Sequence, residues 1–129
     1  MKSKTDNTPS SSSGLRCFAY ALKGISVLIS KQVNFRIHLF AVIAVVLGGI
    51  ILDVSLMEWI ILILCMGLVL MLEALNTAIE YTIDLVSPGY HELAGKIKDI
   101  SAAAVLIAAL TSTLIGLIIF IPKIFVYLS

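Results

Sequence analysis

Three long runs of apolar residues dominate the pattern of hydrophobic and polar positions. They cover about residues 35–52, residues 56 to the low 70s and residues 99–121. Each approaches the roughly 20 residues with which an α-helix crosses a hydrocarbon core of about 30 Å. Helices are expected because a spanning segment must satisfy its backbone hydrogen bonds internally. The pattern therefore predicts an all-α membrane protein with three transmembrane helices.

The second apolar run continues into a polar stretch without any helix-breaking residue. Neither glycine nor proline occurs from Glu73 up to Pro88, so one helix over about residues 56–86 is the simplest interpretation. Its final part is too polar for hydrocarbon, and we expect it to extend into the cytoplasm.

The segment before the first span divides into a polar tail and an amphipathic stretch. Residues 1–14 combine charges with a run of serines, which predicts a disordered tail. From residue 15 to 30, apolar residues recur at helical spacing on one face, whereas Arg16, Tyr20 and Lys23 occupy another. We predict a surface helix on an anionic leaflet, with packing inside the bundle as a compatible alternative. Residues 15–129 then form one integral-membrane domain.

Composition supports the membrane assignment, and the charges give an orientation. Of 129 residues, 60% are hydrophobic and 13% charged, whereas a soluble domain of this size needs more charge on its surface. Short connections rich in Lys and Arg stay in the cytoplasm. The nine Lys and Arg residues are Lys2, Lys4, Arg16, Lys23, Lys31 and Arg36 before the first span, Lys96 and Lys98 after the second, and Lys123 after the third. We expect a bacterial inner-membrane protein with a cytoplasmic N-terminus, an outward C-terminus and no nucleic-acid partner.

A stripe of polar residues runs along the second predicted helix. Its members are spaced i, i+3, i+4, i+7 and i+11 and share one face: Glu73, Asn76, Thr77, Glu80 and Asp84. A carboxylate in hydrocarbon costs at least ~2.5 kcal/mol on insertion scales. A hydrogen-bond network that only fixes the bundle is the alternative, but glutamine or serine would build it with a smaller penalty. We interpret the stripe as a functional polar site.

Further charges reach the same end of the molecule. Lys98 and Asp99 begin the third span at about the depth of Glu80 and Asp84. Mg²⁺ is commonly bound by one or two carboxylates together with the phosphates of a substrate. A lysine can bind the same phosphates through its compact positive charge. These groups fit phosphoryl transfer, which needs positioning, charge stabilisation and a base. The sequence nevertheless lacks the G-x-x-x-x-G-K-[ST] and G-x-G-x-x-G motifs of soluble nucleotide-binding folds.

Together these residues resemble the prokaryotic diacylglycerol kinase family, which includes the undecaprenol kinases. The resemblance extends from about Phe18 to Lys123, and its most specific parts are Glu73-Ala-Leu-Asn76-Thr-Ala-Ile-Glu80, Asp84, His91-Glu92-Leu and Lys98-Asp99. It implies a homotrimer of three-span subunits with composite active sites between them. It also implies Mg²⁺·ATP as the phosphate donor and a membrane lipid hydroxyl as the acceptor.

The resemblance further implies roles for individual residues. Glu73 matches the candidate general base, Asn76 its neighbour in the catalytic site, and Glu80 a metal ligand. The nucleotide-binding positions are Tyr20, Lys23, Glu80, Glu92, Lys98 and Asp99.

One position departs from the family pattern. Members usually carry a glutamate three residues before Phe35, where it shares the metal, and here that residue is Gln32. An amide offers a carbonyl oxygen but lacks the charge that attracts a divalent cation. We expect a metal site that needs more Mg²⁺ rather than an inactive enzyme.

The sequence leaves three functions to compare. A lipid kinase comes first, with diacylglycerol and undecaprenol both open as acceptors. A small proton-coupled transporter would need an isolated carboxylate at mid-bilayer, whereas the stripe descends to the cytoplasmic side. A non-catalytic structural subunit would keep every measurable activity after Glu73→Gln.

Overall fold

A computed structural model of the protein describes residues 12–129; residues 1–11 of the predicted tail lie outside this range. Within it the chain forms four α-helices and no strand: α1 (Ser12–Lys31), α2 (Val33–Ile51), α3 (Leu56–Val86) and α4 (Glu92–Leu128). The last three are each long and apolar enough to cross a membrane. This confirms the predicted all-α architecture with three membrane-spanning helices.

Two helices extend beyond the predicted bounds. α1 begins at Ser12, so residues 12–14 belong to a helix rather than to the tail. α4 begins at Glu92, after His91, whose Nδ1 accepts a hydrogen bond of 3.2 Å from the Leu93 N–H. It also continues past Pro122, although an interior proline removes one backbone hydrogen bond and crowds the preceding turn; membrane-spanning helices tolerate such prolines. The predicted span at 99–121 is therefore the interior of a longer helix.

A short connection joins α2 to α3 at the end that we predict to face outward. Ser55 caps α3 and accepts a hydrogen bond from the Glu58 N–H, while the Glu58 carboxylate accepts one of 2.6 Å from the Ser55 N–H. This reciprocal capping box satisfies two backbone donors that the first helical turn leaves free. The Lys123 Nζ lies 3.0 Å from the same carboxylate, which links α4 to the start of α3.

The core of the bundle lies near this end. Val54, Leu62 and Ile119 are buried together. Trp59 packs directly on Gly49, where an added Cβ would lie 2.6 Å from the indole ring. The absence of a side chain at Gly49 therefore permits this close approach of α2 and α3.

The opposite end of the bundle carries the polar stripe. With 31 residues, α3 is about 46 Å long, whereas a hydrocarbon core is about 30 Å thick. α3 is therefore about three turns longer than the core is thick. α4 returns alongside it after a connection of only five residues, 87–91, so the stripe faces the start of α4.

Candidate functional site

The polar stripe opens into a cavity of about 230 Å³ between three helices, here called the polar cavity. α2 contributes Asn34 and His38, which are one helical turn apart. α3 contributes Glu73, Asn76 and Glu80, and α4 closes the remaining side with small and apolar residues from Ala102 to Ala109. Of the five residues predicted to share this face, three line the cavity, whereas Thr77 and Asp84 do not.

Asn76 connects the buried part of this cavity to its more open part. Glu73 and Asn76 are only 3% and 6% exposed, and the Asn76 Nδ2 donates a hydrogen bond of 2.9 Å to Glu80 Oε1. Asn76 Oδ1 is buried and has no partner among the described residues. A buried carbonyl oxygen without a donor is unfavourable, so a ligand or metal ion that reached this atom would satisfy it.

Lys98 and Asp84 form an ion pair at the edge of the site. The Lys98 Nζ lies 2.5 Å from Asp84 Oδ1 and joins the end of α3 to the start of α4. About a third of the Lys98 side chain remains exposed. The lysine is thus held beside the stripe while it stays accessible to a charged ligand from the water phase.

The oxygen atoms of the polar cavity could supply part of a magnesium site. No three His, Cys, Asp or Glu side chains within residues 12–129 are grouped to hold a metal ion. Mg²⁺ keeps several waters and is commonly held by one or two carboxylates plus substrate phosphates. The Glu80 carboxylate and Asn76 Oδ1 fit this requirement. These two groups do not complete the coordination of the ion. The donor set therefore fits an Mg²⁺ whose remaining ligands are nucleotide phosphates and water.

Gln32 has a different partner. It stands alone between α1 and α2 in an extended conformation, and its Nε2 donates a hydrogen bond of 3.0 Å to the Tyr81 hydroxyl. It does not line the polar cavity. The sequence analysis missed Tyr81, since nothing in the sequence relates two positions 49 residues apart.

The other predicted nucleotide-binding residues lie outside the polar cavity of their own chain. Tyr20, Lys23, Glu92 and Asp99 are all exposed. The Lys23 Nζ lies 5.7 Å from the centre of the Tyr20 ring, and Glu92 forms an ion pair of 2.7 Å with Lys96. The structure therefore brings Glu73, Asn76 and Glu80 together, places Lys98 beside Asp84, and leaves these four residues apart.

A second, larger space adjoins the polar cavity, here called the apolar groove. It has a volume of about 370 Å³ and follows α2, α3 and α4 toward the end of the bundle where Lys123 meets Glu58. His38 and Ala109 line both spaces. The sequence analysis assigned neither Asn34 nor His38 to the site, although their spacing of four residues on α2 was a signal that they share a face.

Comparison with known proteins covers this whole region. A sequence profile of the family described as prokaryotic diacylglycerol kinase matches residues 19–120. The undecaprenol kinase of Bacillus subtilis (strain 168) is 42% identical over 108 residues, which are 84% of this chain and 88% of that protein. The diacylglycerol kinase of Synechocystis is 42% identical over 106 residues, 81% of this chain and 61% of that protein. The diacylglycerol kinase of Escherichia coli (strain K12) is 34% identical over 109 residues, 84% and 89% of the two chains.

Proposed function

The chain belongs to the prokaryotic diacylglycerol kinase family and is a lipid kinase; on that premise we propose that it transfers the γ-phosphate of ATP to a lipid hydroxyl in the polar cavity. The observation that carries this proposal is the grouping of Glu73, Asn76 and Glu80 around one cavity at the end of a membrane-spanning helix. The relatives give no support to the transporter alternative.

Glu73 is the proposed general base. Its side chain is buried and lines the polar cavity together with apolar residues of α4, and a lipid hydroxyl would enter that cavity to reach it. It would take the hydroxyl proton while the lipid oxygen forms a bond to the γ-phosphorus. The bond from that phosphorus to the bridging oxygen of ADP then breaks, and ADP leaves. Such a positioned base contributes roughly 10²–10⁴-fold to a rate.

The nucleotide would lie on the water side of this base. Lys98 would exchange part of its contact with Asp84 for the phosphates, because the ammonium donates several hydrogen bonds. Glu80 and Asn76 Oδ1 would hold Mg²⁺ with the phosphates, and that ion would neutralise charge on the transferring group. The Asn76 Nδ2 would thereby orient Glu80, and the Asn76 Oδ1 would contact the metal.

A homotrimer with composite sites accounts for the predicted residues that lie apart. Tyr20, Lys23, Glu92 and Asp99 are exposed in their own chain and available to a neighbouring subunit. The apolar residues of α1 are also exposed, among them Phe18 and Leu22. This supports an α1 that lies on a membrane surface, and the basic residues before the first span favour the cytoplasmic side, with the N-terminus inside and the C-terminus outside.

Phosphate transfer from labelled ATP tests the proposal. The detergent-purified protein would receive Mg²⁺ and, in parallel, undecaprenol or diacylglycerol, the acceptors for which the relatives are named. We expect label on a lipid, and a loss of roughly 10²–10⁴-fold with Glu73→Gln because the base is removed. Glu58→Gln is the matched control, since it makes the same change at the other end of α3 and should leave the rate unchanged. Full activity of Glu73→Gln would refute the assigned base.

A further inference from the structure

α1 is attached to the rest of the molecule almost entirely at its C-terminal end. Among residues 14–31, Leu28 alone is half-buried, and all the others are exposed. α1 packs mainly on α2, the helix that follows it in the chain. The direction of α1 relative to the polar cavity therefore depends on the few residues that join these two helices.

A single residue forms the junction between α1 and α2. Gln32 lies between the two helices with φ −104° and ψ 112°, an extended conformation. Its N–H still donates a hydrogen bond of 3.0 Å to the Leu28 carbonyl, and its carbonyl accepts one of 3.3 Å from the Arg36 N–H. Because helical hydrogen bonding continues on both sides, the two backbone dihedral angles of Gln32 set the direction in which α1 leaves the bundle.

The side chain of Gln32 ties this junction to α3. It forms no cap on α2, and its Nε2 instead donates a hydrogen bond of 3.0 Å to the Tyr81 hydroxyl. Among the described side chains, no other hydrogen bond or ion pair joins α1, α2 or their junction to α3 or α4. Phe35, which is buried three residues later, holds the start of α2. The Tyr81 hydroxyl is therefore the polar contact that restrains the junction against the bundle.

The direction of α1 matters because this helix is basic and starts from the end of the bundle that carries the polar cavity. It contains Arg16, Lys23 and Lys31 and no acidic residue. Tyr81 directly follows Glu80, which lines the polar cavity. The phosphates of a nucleotide at this end would carry several negative charges, and their attraction to a basic helix weakens as the distance grows.

We propose that Tyr81 is a positioning residue of the kinase, which acts through Gln32 to set the direction of α1 and so keeps the basic residues of α1 close to the bound nucleotide. This inference rests on the proposed transfer of phosphate from ATP. Tyr81 contacts neither the nucleotide nor the lipid, so it contributes to nucleotide binding and takes no part in the chemistry.

Tyr81→Phe tests the proposal because it removes the hydroxyl and keeps the ring. At saturating Mg²⁺ and lipid, we expect KM for ATP to rise about two- to tenfold, the range that one hydrogen bond exchanged with water accounts for, while kcat stays unchanged. In a Gln32→Leu background, Tyr81→Phe should cause no further rise, since the partner is already lost. Tyr127→Phe is the matched control: it removes the hydroxyl of an exposed tyrosine near the end of α4, and should leave KM unchanged.

The direction of α1 can be measured without any turnover. Cys17 is an exposed native cysteine on α1, about 22 Å along the helix from Gln32, so a small change of direction moves it by several ångströms. A spin label there is paired with one on Val86→Cys at the end of α3, with Cys65→Ala to prevent labelling in the bundle. Labelled chains are diluted with unlabelled chains, and pulsed electron paramagnetic resonance then reports the distance within one chain.

We expect Tyr81→Phe to shift or broaden this distance distribution and Tyr127→Phe to leave it as in the otherwise unchanged labelled protein. Unchanged distances in Tyr81→Phe would overturn the proposal, as would altered distances with an unchanged KM for ATP. A further rise of KM in the Gln32→Leu background would show that Tyr81 acts independently of Gln32, and a loss of kcat alone would show a role in the chemistry. If the unchanged protein transfers no phosphate, the proposed function fails, whereas the distances still decide whether Tyr81 positions α1.

Discussion

At the scale of single residues, the contact between Gln32 and Tyr81 explains how a neutral residue can occupy a position where a carboxylate is expected. The Gln32 Nε2 donates to the Tyr81 hydroxyl, which fixes the α1–α2 junction against α3 one residue after Glu80. A glutamate at position 32 could accept a hydrogen bond from the same hydroxyl. Gln32→Glu would therefore change the charge while it keeps this contact.

The expected result of Gln32→Glu is a lower Mg²⁺ concentration for half-maximal rate, because a second carboxylate attracts the divalent ion. Titration of the transfer rate with Mg²⁺ measures this, and Mn²⁺ binding followed by electron paramagnetic resonance provides a readout independent of turnover. Gln32→Met, which has neither charge nor amide, is the control and should not lower the Mg²⁺ requirement. An unchanged Mg²⁺ dependence in Gln32→Glu would mean that position 32 has no part in metal binding.

The residues of the site differ in how far the sequence could predict them. Glu73, Asn76 and Glu80 share a face through helix geometry alone, so their grouping followed from their spacing. The ion pair of Lys98 with Asp84 agrees with the depth expected for both residues. The Gln32–Tyr81 contact depends on how α2 packs on α3, and no periodicity within either helix contains that information. The assigned chemical roles stay predictions.

At the scale of helices, the approach of α2 to α3 depends on Gly49. The Trp59 ring occupies the space where a Cβ would lie, at 2.6 Å. We expect Gly49→Ala to lower the free energy of unfolding by about 1–3 kcal/mol, the usual effect of overpacking a well-packed contact. Reversible unfolding in mixed detergent and SDS micelles measures this change.

Gly67→Ala is the control for Gly49→Ala. It meets no atom within 4 Å, and alanine is favoured over glycine in a helix by about 1 kcal/mol. It should therefore be neutral or slightly stabilising. Equal stability of the Gly49 and Gly67 variants would show that the Trp59 ring moves aside without loss.

The bounds of the helices could be predicted only where the sequence contains a capping residue or a proline that ends the helix. α3 covers the predicted 56–86 because Ser55 caps its start and Pro88 follows its end. α4 exceeded the prediction at both ends, since hydropathy marks the part of a helix that suits lipid and not where the helix stops. A prediction from hydropathy alone therefore underestimated the length of α4.

At the scale of the whole molecule, the predicted site residues do not all meet within one chain. Four of the predicted nucleotide-binding residues are exposed and lie outside the polar cavity. If sites are shared between subunits, mixing two inactive variants, Glu73→Gln and Asp99→Asn, should restore activity. With random mixing in a trimer, about a quarter of the sites would combine an intact Glu73 from one subunit with an intact Asp99 from its neighbour.

The transfer rate after the mixed variants are dissociated and reassembled measures this restoration. Each variant reassembled alone provides the control and should stay inactive. If activity does not recover although both variants still assemble to the size of the unchanged protein, Glu73 and Asp99 are not combined from different subunits.

The cap at Ser55 has a consequence for the depth of the reaction. Glu73 lies 18 residues further along an unbroken helix, a distance of about 27 Å. If the cap stays at the outer surface of the membrane, the length of α3 fixes the distance of this carboxylate from that surface. A membrane thickened by a change of lipids would move its inner surface away from Glu73, while a thinner one would bring water closer. The distance between base and water would then be set by the surrounding lipid as much as by the protein.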